Sequence, residues 1–176
     1  MKKSTKTKNK QKLSEQQATE YILERFQDVK RTNKIKDLVF FQTTNKFMIM
    51  SHDQIELKNL GNIVASHKKN SFSKIMEEYE EHLKKALEKK PTIKSHINVI
   101  MHIFGHFSNR LTQLEKEEFL KLSEQFRNEE INIGKILFEI NPIIYRFNNT
   151  YLASQTYFLL YSDPQPGNIF EMLSHK

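Results

Sequence analysis

The sequence contains no cysteine, no tryptophan, and only four glycines and four prolines among 176 residues. Without cysteine the chain holds no disulfide, no thiolate nucleophile, no cysteine-ligated zinc and no iron–sulfur cluster. Sparse glycine and proline leave long stretches without a breaker, which favours an all-α fold over a meander of short strands. Long apolar runs are missing as well: no stretch approaches the length that spans a bilayer, and the basic N-terminus lacks the apolar core of a signal peptide. The expectation is a cytoplasmic chain with no membrane association. There is no Walker A loop, no G-x-G-x-x-G fingerprint and no G-x-S-x-G elbow, and no cofactor is expected.

What is present is basic charge, unevenly placed. The formal net charge is +7, but Lys2, Lys3, Lys6, Lys8, Lys10 and Lys12 carry +6 of it with no acid among the first twelve residues. The remainder is nearly neutral. The length predicts one domain: residues 1–12 as a disordered basic tail, and 13–176 as a single compact unit of about seven or eight helices. Such a tail serves either as solubilising sequence or as an arm for nucleic acid.

Apolar periodicity places the helices. Ser14 and Gln17 form a capping box ahead of a face made by Ala18, Tyr21, Ile22, Phe26 and Val29. Leu38 to Ser51 is apolar enough for one buried helix, with a strand as the alternative. Asp53 and Glu56 cap a short helix finishing near His67. Phe72, Ile75, Met76, Tyr79, Leu83, Ala86 and Leu87 fall on one stripe, with acids early and lysines late to suit the helix dipole. Ile131 to Phe147 is apolar, and Pro142 within it should kink or divide it. Tyr151, Leu152, Gln155, Tyr157 and Leu160 read as one last short helix.

The stretch from Ser95 to Leu120 reads as the organising element. Ile97, Ile100, Met101, Phe104 and Leu111 would form its buried stripe, packed on the Phe72–Leu87 helix and the terminal segment. Asn98, His102, Gly105, His106 and Asn109 recur beside it as a polar stripe, and a glycine within a helix usually permits a close approach. Thr112 and Glu115 cap the helix that follows. His102 and His106 have the i,i+4 spacing of a zinc site, but Ile103 stands where a general-base Glu would be, and nothing places His96 or His52 as a third ligand. No metal is expected. Asn98, His102 and Gln155 are expected to share a hydrogen-bonded seam, since buried amides need partners. Lys84, Lys85, Lys89, Lys90 and Lys94 gather at one basic corner that could face phosphate.

Several spaced motifs carry a family resemblance. Asn98, His102, Gly105, His106 and Phe107, then Leu111, Glu115, Lys116, Phe126 and Arg127, then Tyr151, Leu152, Gln155, Thr156 and Tyr157 follow one pattern. Phe41, Asn45, Lys46, His52, Leu60 and Gly61 precede them. Over about residues 37–164 the chain resembles the YbgA-like family (domain of unknown function 1722). Gln42 and Asn45 stand where the family carries histidine, and Asn132 where it carries proline.

The resemblance implies a helical domain that occurs alone or fused to an iron–sulfur desulfidase acting on thiolated uracil or tRNA thiouridine, in which this part is regarded as the RNA-binding portion. The expected function is therefore an RNA-binding accessory module, for tRNA above all, with a separate desulfidase-type enzyme as a possible partner. The candidate contacts are Lys46, His52, Asn98, His102, Gly105, His106, Arg110, Lys116, Arg127, Tyr151, Gln155, Tyr157 and the basic corner. The alternatives are an enzyme using the Asn98, His102, His106 and Gln155 pocket, or a helical protein-interaction domain; no catalytic residue is singled out.

Overall fold

Ten α-helices make up the fold in the computed structural model, which describes residues 13–163, so the expected tail and residues 164–176 lie outside the described residues. They are α1 (Glu15–Thr32), α2 (Ile35–Thr44), α3 (Lys46–His52), α4 (Gln54–Ala65), α5 (Phe72–Glu88), α6 (Ile93–Gly105), α7 (Gln113–Arg127), α8 (Ile133–Arg146), α9 (Thr150–Ala153) and α10 (Thr156–Tyr161). Short 3-10 turns follow α4 at Ser66–Lys68 and α6 at Ser108–Arg110. Among the described residues there is no strand, and no helix is long and apolar enough to cross a membrane.

The element at the centre is α3 rather than the Ser95–Leu120 stretch. Phe47, Met48, Ile49, Met50, Ser51 and His52 are all buried, so this helix shows no solvent face after its first residue, the mark of a core helix. Against it pack α2, α4, α5, α6 and α10. The buried run expected over Leu38 to Ser51 is helical, but it breaks into α2 and α3 at Asn45, whose side chain donates to the Phe41 carbonyl at 2.9 Å. That side-chain bond competes with continued helix, as asparagine commonly does.

The capping boxes at Ser14/Gln17 and Thr112/Glu115 form in both directions. Asp53 caps α4 by accepting from Ile55 and Glu56 backbone N–H, but the Glu56 side chain turns away to meet His82 Nδ1 at 2.5 Å and Lys85 Nζ at 2.7 Å. Burial alone would raise this carboxyl; hydrogen bonds from Lys85, His82 and Asn59 outweigh it and hold the group at about 2. The pairing ties α4 to α5, whose expected stripe is buried from Ile75 to Leu87 with Phe72 half-buried.

Three expectations need correction. First, α6 is rotated from its expected face: His96, Val99, Ile100, Ile103 and the following Phe107 are buried, Ile97 and Phe104 are half-buried, and Met101 is 39% exposed. This face packs on α3 and α7, not mainly on α5. The apolar residues of α6 cover more than half of its circumference, a wider arc than the face that packs, so periodicity alone left its orientation open; His96 holds a core position because its Nδ1 meets the Tyr157 hydroxyl at 2.6 Å. Secondly, Pro142 does not divide its segment. It lies at an exposed position inside the continuous α8, where water can serve the carbonyl it leaves free. Thirdly, the last segment is two short helices, α9 and α10, with Gln155 between them as the N-cap of α10.

Candidate functional site

The predicted site residues divide into a buried group and a surface group. Gln155 is buried and fully engaged: its Oε1 accepts from Phe47 N–H at 3.3 Å and its Nε2 donates to the Thr43 carbonyl at 2.8 Å. Thr156 adds a hydroxyl bond to Asn45 Oδ1 at 2.7 Å. Asn98 instead donates to the Gln54 side chain at 3.2 Å, and His102 is exposed. The expected Asn98, His102 and Gln155 seam does not form, because the amide of Gln155 is spent on the α2–α3 junction. Gly105 brings no backbone close either; a Cβ built there meets nothing within 4 Å.

His52 and Tyr157 are core residues and present no face to a ligand. His52 Nδ1 lies 2.5 Å from the Lys89 carbonyl, its Nε2 is buried without a hydrogen-bond partner, and burial lowers its pKa against the opposing pull of that carbonyl and of Glu15. Beside it, Tyr161 donates to Glu15 Oε2 at 2.7 Å, and the rings of His96, Tyr157 and Tyr161 pack together. The positions that depart from the family pattern also have structural roles: Gln42 bonds Tyr79 Oη, Asn45 ends α2, and Asn132 caps α8 by accepting from Lys135 N–H.

The basic corner is largely neutralised. Lys84 pairs with Glu80 at 2.9 Å, Lys85 with Glu56, and Lys89 with Asp53. Arg127 pairs with Glu124 one turn earlier at 2.5 Å, and Lys116 is half-buried. Lys90 and Lys94 make no ion pair among the described residues.

The rest of the predicted residues meet on one surface, where the start of α3, the end of α6 and the α8–α9 turn come together. His106 packs on Tyr151 with centroids 5.3 Å apart and planes 30° apart, and both rings stand edge-on to buried Phe47 at 6.1 Å. His106 is exposed and Tyr151 is half-buried. Partial burial, then the charges of Lys46 and His102, lower the His106 pKa, so its ring is held toward the neutral form. Four residues on, the Arg110 guanidinium lies 4.2 Å from the Phe147 ring centroid, and Arg146 lies 4.6 Å from the same ring. Phe147 also touches buried Phe107, which anchors the pair to the core. Arg146 is committed to Glu115 at 2.5 Å, whereas Lys46 and Arg110 form no ion pair among the described residues.

Phe147 and Arg146 are the members that the sequence reading missed. Both sat in a segment read as apolar core, and their only signal was their position just before the Tyr151 motif. An open hollow of about 600 Å³ lies at the α7–α8 turn, lined by Ile93, Phe126, Glu129, Ile131, Lys135 and Asp163 among others, and it includes none of the predicted residues. Among the described residues no group of three or more His, Asp or Glu converges to hold a metal ion.

Residues 46–162 match the family described as "Protein of unknown function (DUF1722)", and the chain belongs to that family. The match opens at Lys46, the first residue of α3, and closes just after α10, so it contains the whole surface described above. The chain is 24% identical over 125 residues to the uncharacterized protein YbgA of Escherichia coli (strain K12), covering 70% of this chain and 74% of that protein. No solved structure matches.

Proposed function

We propose that this chain is a cytoplasmic RNA-binding accessory module that takes structured RNA of the tRNA class on the Lys46, His106, Arg110 and Tyr151 surface. One observation carries the reading: most cations at the other predicted contacts are matched by acids, but Lys46 and Arg110 remain unmatched near the exposed His106 ring and the half-buried Tyr151 and Phe147 rings. Unmatched cations attract phosphate by releasing its condensed counterions, and rings among them suit bases. The lysines of residues 1–12 add attraction without orientation. The family resemblance supplies the second half of the proposal, that such a module presents its RNA to a separate desulfidase-type enzyme. The enzyme alternative invoked the Asn98, His102 and Gln155 seam, which does not form.

The test is a fluorescence titration of total tRNA across a salt series, using full-length protein, a variant lacking residues 1–12, and Lys46→Ala/Arg110→Ala. Truncation should reduce the salt slope and leave measurable binding, and the double variant should weaken binding of both forms. Absence of tRNA binding at low salt overturns the proposal. Loss of all binding on truncation removes the folded surface from it.

A further inference from the structure

A cationic surface alone does not say whether paired or unpaired RNA is taken. The arrangement at the α6 end does more than supply charge. His106 and Tyr151 form an inclined ring pair with the buried Phe47 ring edge-on to both, so the pair is anchored on the core, with His106 exposed and Tyr151 half-buried. Lys46 is the residue preceding Phe47 and His102 stands one helical turn before His106, and the charges of both act on the His106 ring. Arg110 follows His106 by four residues; its guanidinium carbon lies 4.2 Å from the Phe147 ring centroid, and it forms no ion pair among the described residues. Glu115 is the carboxylate beside this surface, and Arg146 and the backbone and hydroxyl of Thr112 already bond it.

A ring pair accompanied by two unmatched cations suits a particular form of RNA. In an A-form duplex each base is stacked within the helix, and the protein meets phosphates, 2′-hydroxyls and groove shape; ring faces then have nothing to stack on. In a single strand or loop the bases are free, and each can lie on an aromatic face while its flanking phosphates reach nearby cations. We propose, resting on the RNA-binding reading, that this surface is selective for unpaired nucleotides: a base stacks on the His106/Tyr151 platform while Lys46 and Arg110 take the flanking phosphates.

The experiment measures fluorescence anisotropy with a labelled single-stranded RNA of about twelve nucleotides, spanning the usual site size for such platforms. A blunt RNA duplex of equal length and total tRNA are the other two probes. Wild-type protein is compared with Tyr151→Ala, and with Tyr151→Leu, which keeps an apolar contact for Phe47 and removes the aromatic face. Thermal melts confirm that each variant is folded. The single strand should bind at least about tenfold more tightly than the duplex. Tyr151→Leu should weaken the single strand by about fivefold or more, the loss of one stacked base, and change duplex binding by less than about twofold on the same scale. Equal or tighter duplex binding, or equal losses on both probes, overturns the selectivity while tRNA binding by wild type leaves the RNA reading standing. No binding to any of the three probes at low salt overturns the reading itself, and this inference with it.

Discussion

Gln155 holds Phe47 across 108 residues of sequence, accepting its backbone N–H while donating to the carbonyl of Thr43 on the other side of the helix break. One amide thereby satisfies an orphan donor at the start of α3 and an orphan acceptor at the end of α2. Gln155→Leu keeps the volume and removes both bonds. We expect it to lower stability by about 2–3 kcal/mol, because buried backbone groups are left without partners. The measurement is the urea midpoint with its slope unchanged; a loss below about 0.5 kcal/mol would show that water replaces the amide.

The corrected face of α6 gives a second expectation. Ile103→Ala opens a void between α6 and its neighbours and should cost about 2–5 kcal/mol, whereas Met101→Ala at the exposed position should cost less than about 1. Calorimetric melting of the two variants decides between this orientation and the one that puts Met101 inside, for which the order reverses.

Two glycines should respond oppositely to alanine. At Gly105 a Cβ meets nothing, so Gly105→Ala should stabilise α6 by a few tenths to about 1 kcal/mol. At Gly134 the Cβ would fall 1.9 Å from Asp163 Oδ1 and 3.1 Å from the Asp163 nitrogen. Gly134→Ala should destabilise by about 1–3 kcal/mol, since the chain after α10 must shift to make room. Equal effects at the two positions would contradict the packing at Gly134.

Acid should weaken the fold in two steps. The folded pKa of His52 is below its ordinary 6.5, through burial, so the unfolded chain takes up the proton more readily. Its contribution is complete above 6.5 and is lost as pH falls below that value. Glu56 is held at about 2 despite its burial, and Glu80 at about 2 chiefly by Lys30, both from an ordinary 4.5. Their contribution is present above 4.5 and is lost as pH falls toward 2. Denaturant midpoints between about pH 8 and pH 5.5 should decline in wild type and decline less in His52→Gln, the remainder coming from His106, whose pKa is lowered too. An equal decline in both would assign that step to another group.

The local elements could be read from the sequence because their causes are local. The Ser14 and Thr112 boxes and the α5 stripe follow from residues three or four apart, where helix geometry fixes the neighbours. The family could be read as well, since its motifs run in order along the chain. The choice among apolar faces was not legible: the apolar arc of α6 is wider than the face that packs, and its buried side was settled by where α3 and α7 lie and by Tyr157 giving His96 a partner. The same holds for the site. Spacing put Gln155 in a polar seam with Asn98, but the broken ends of α2 and α3 needed its donor and acceptor more. Spacing also gave His106, Arg110 and Tyr151 without their arrangement. Only the packing of Phe47 beneath one ring pair and of Phe107 against Phe147 sets those side chains on a common surface beside Lys46, because contacts between distant segments depend on the whole core that aligns them.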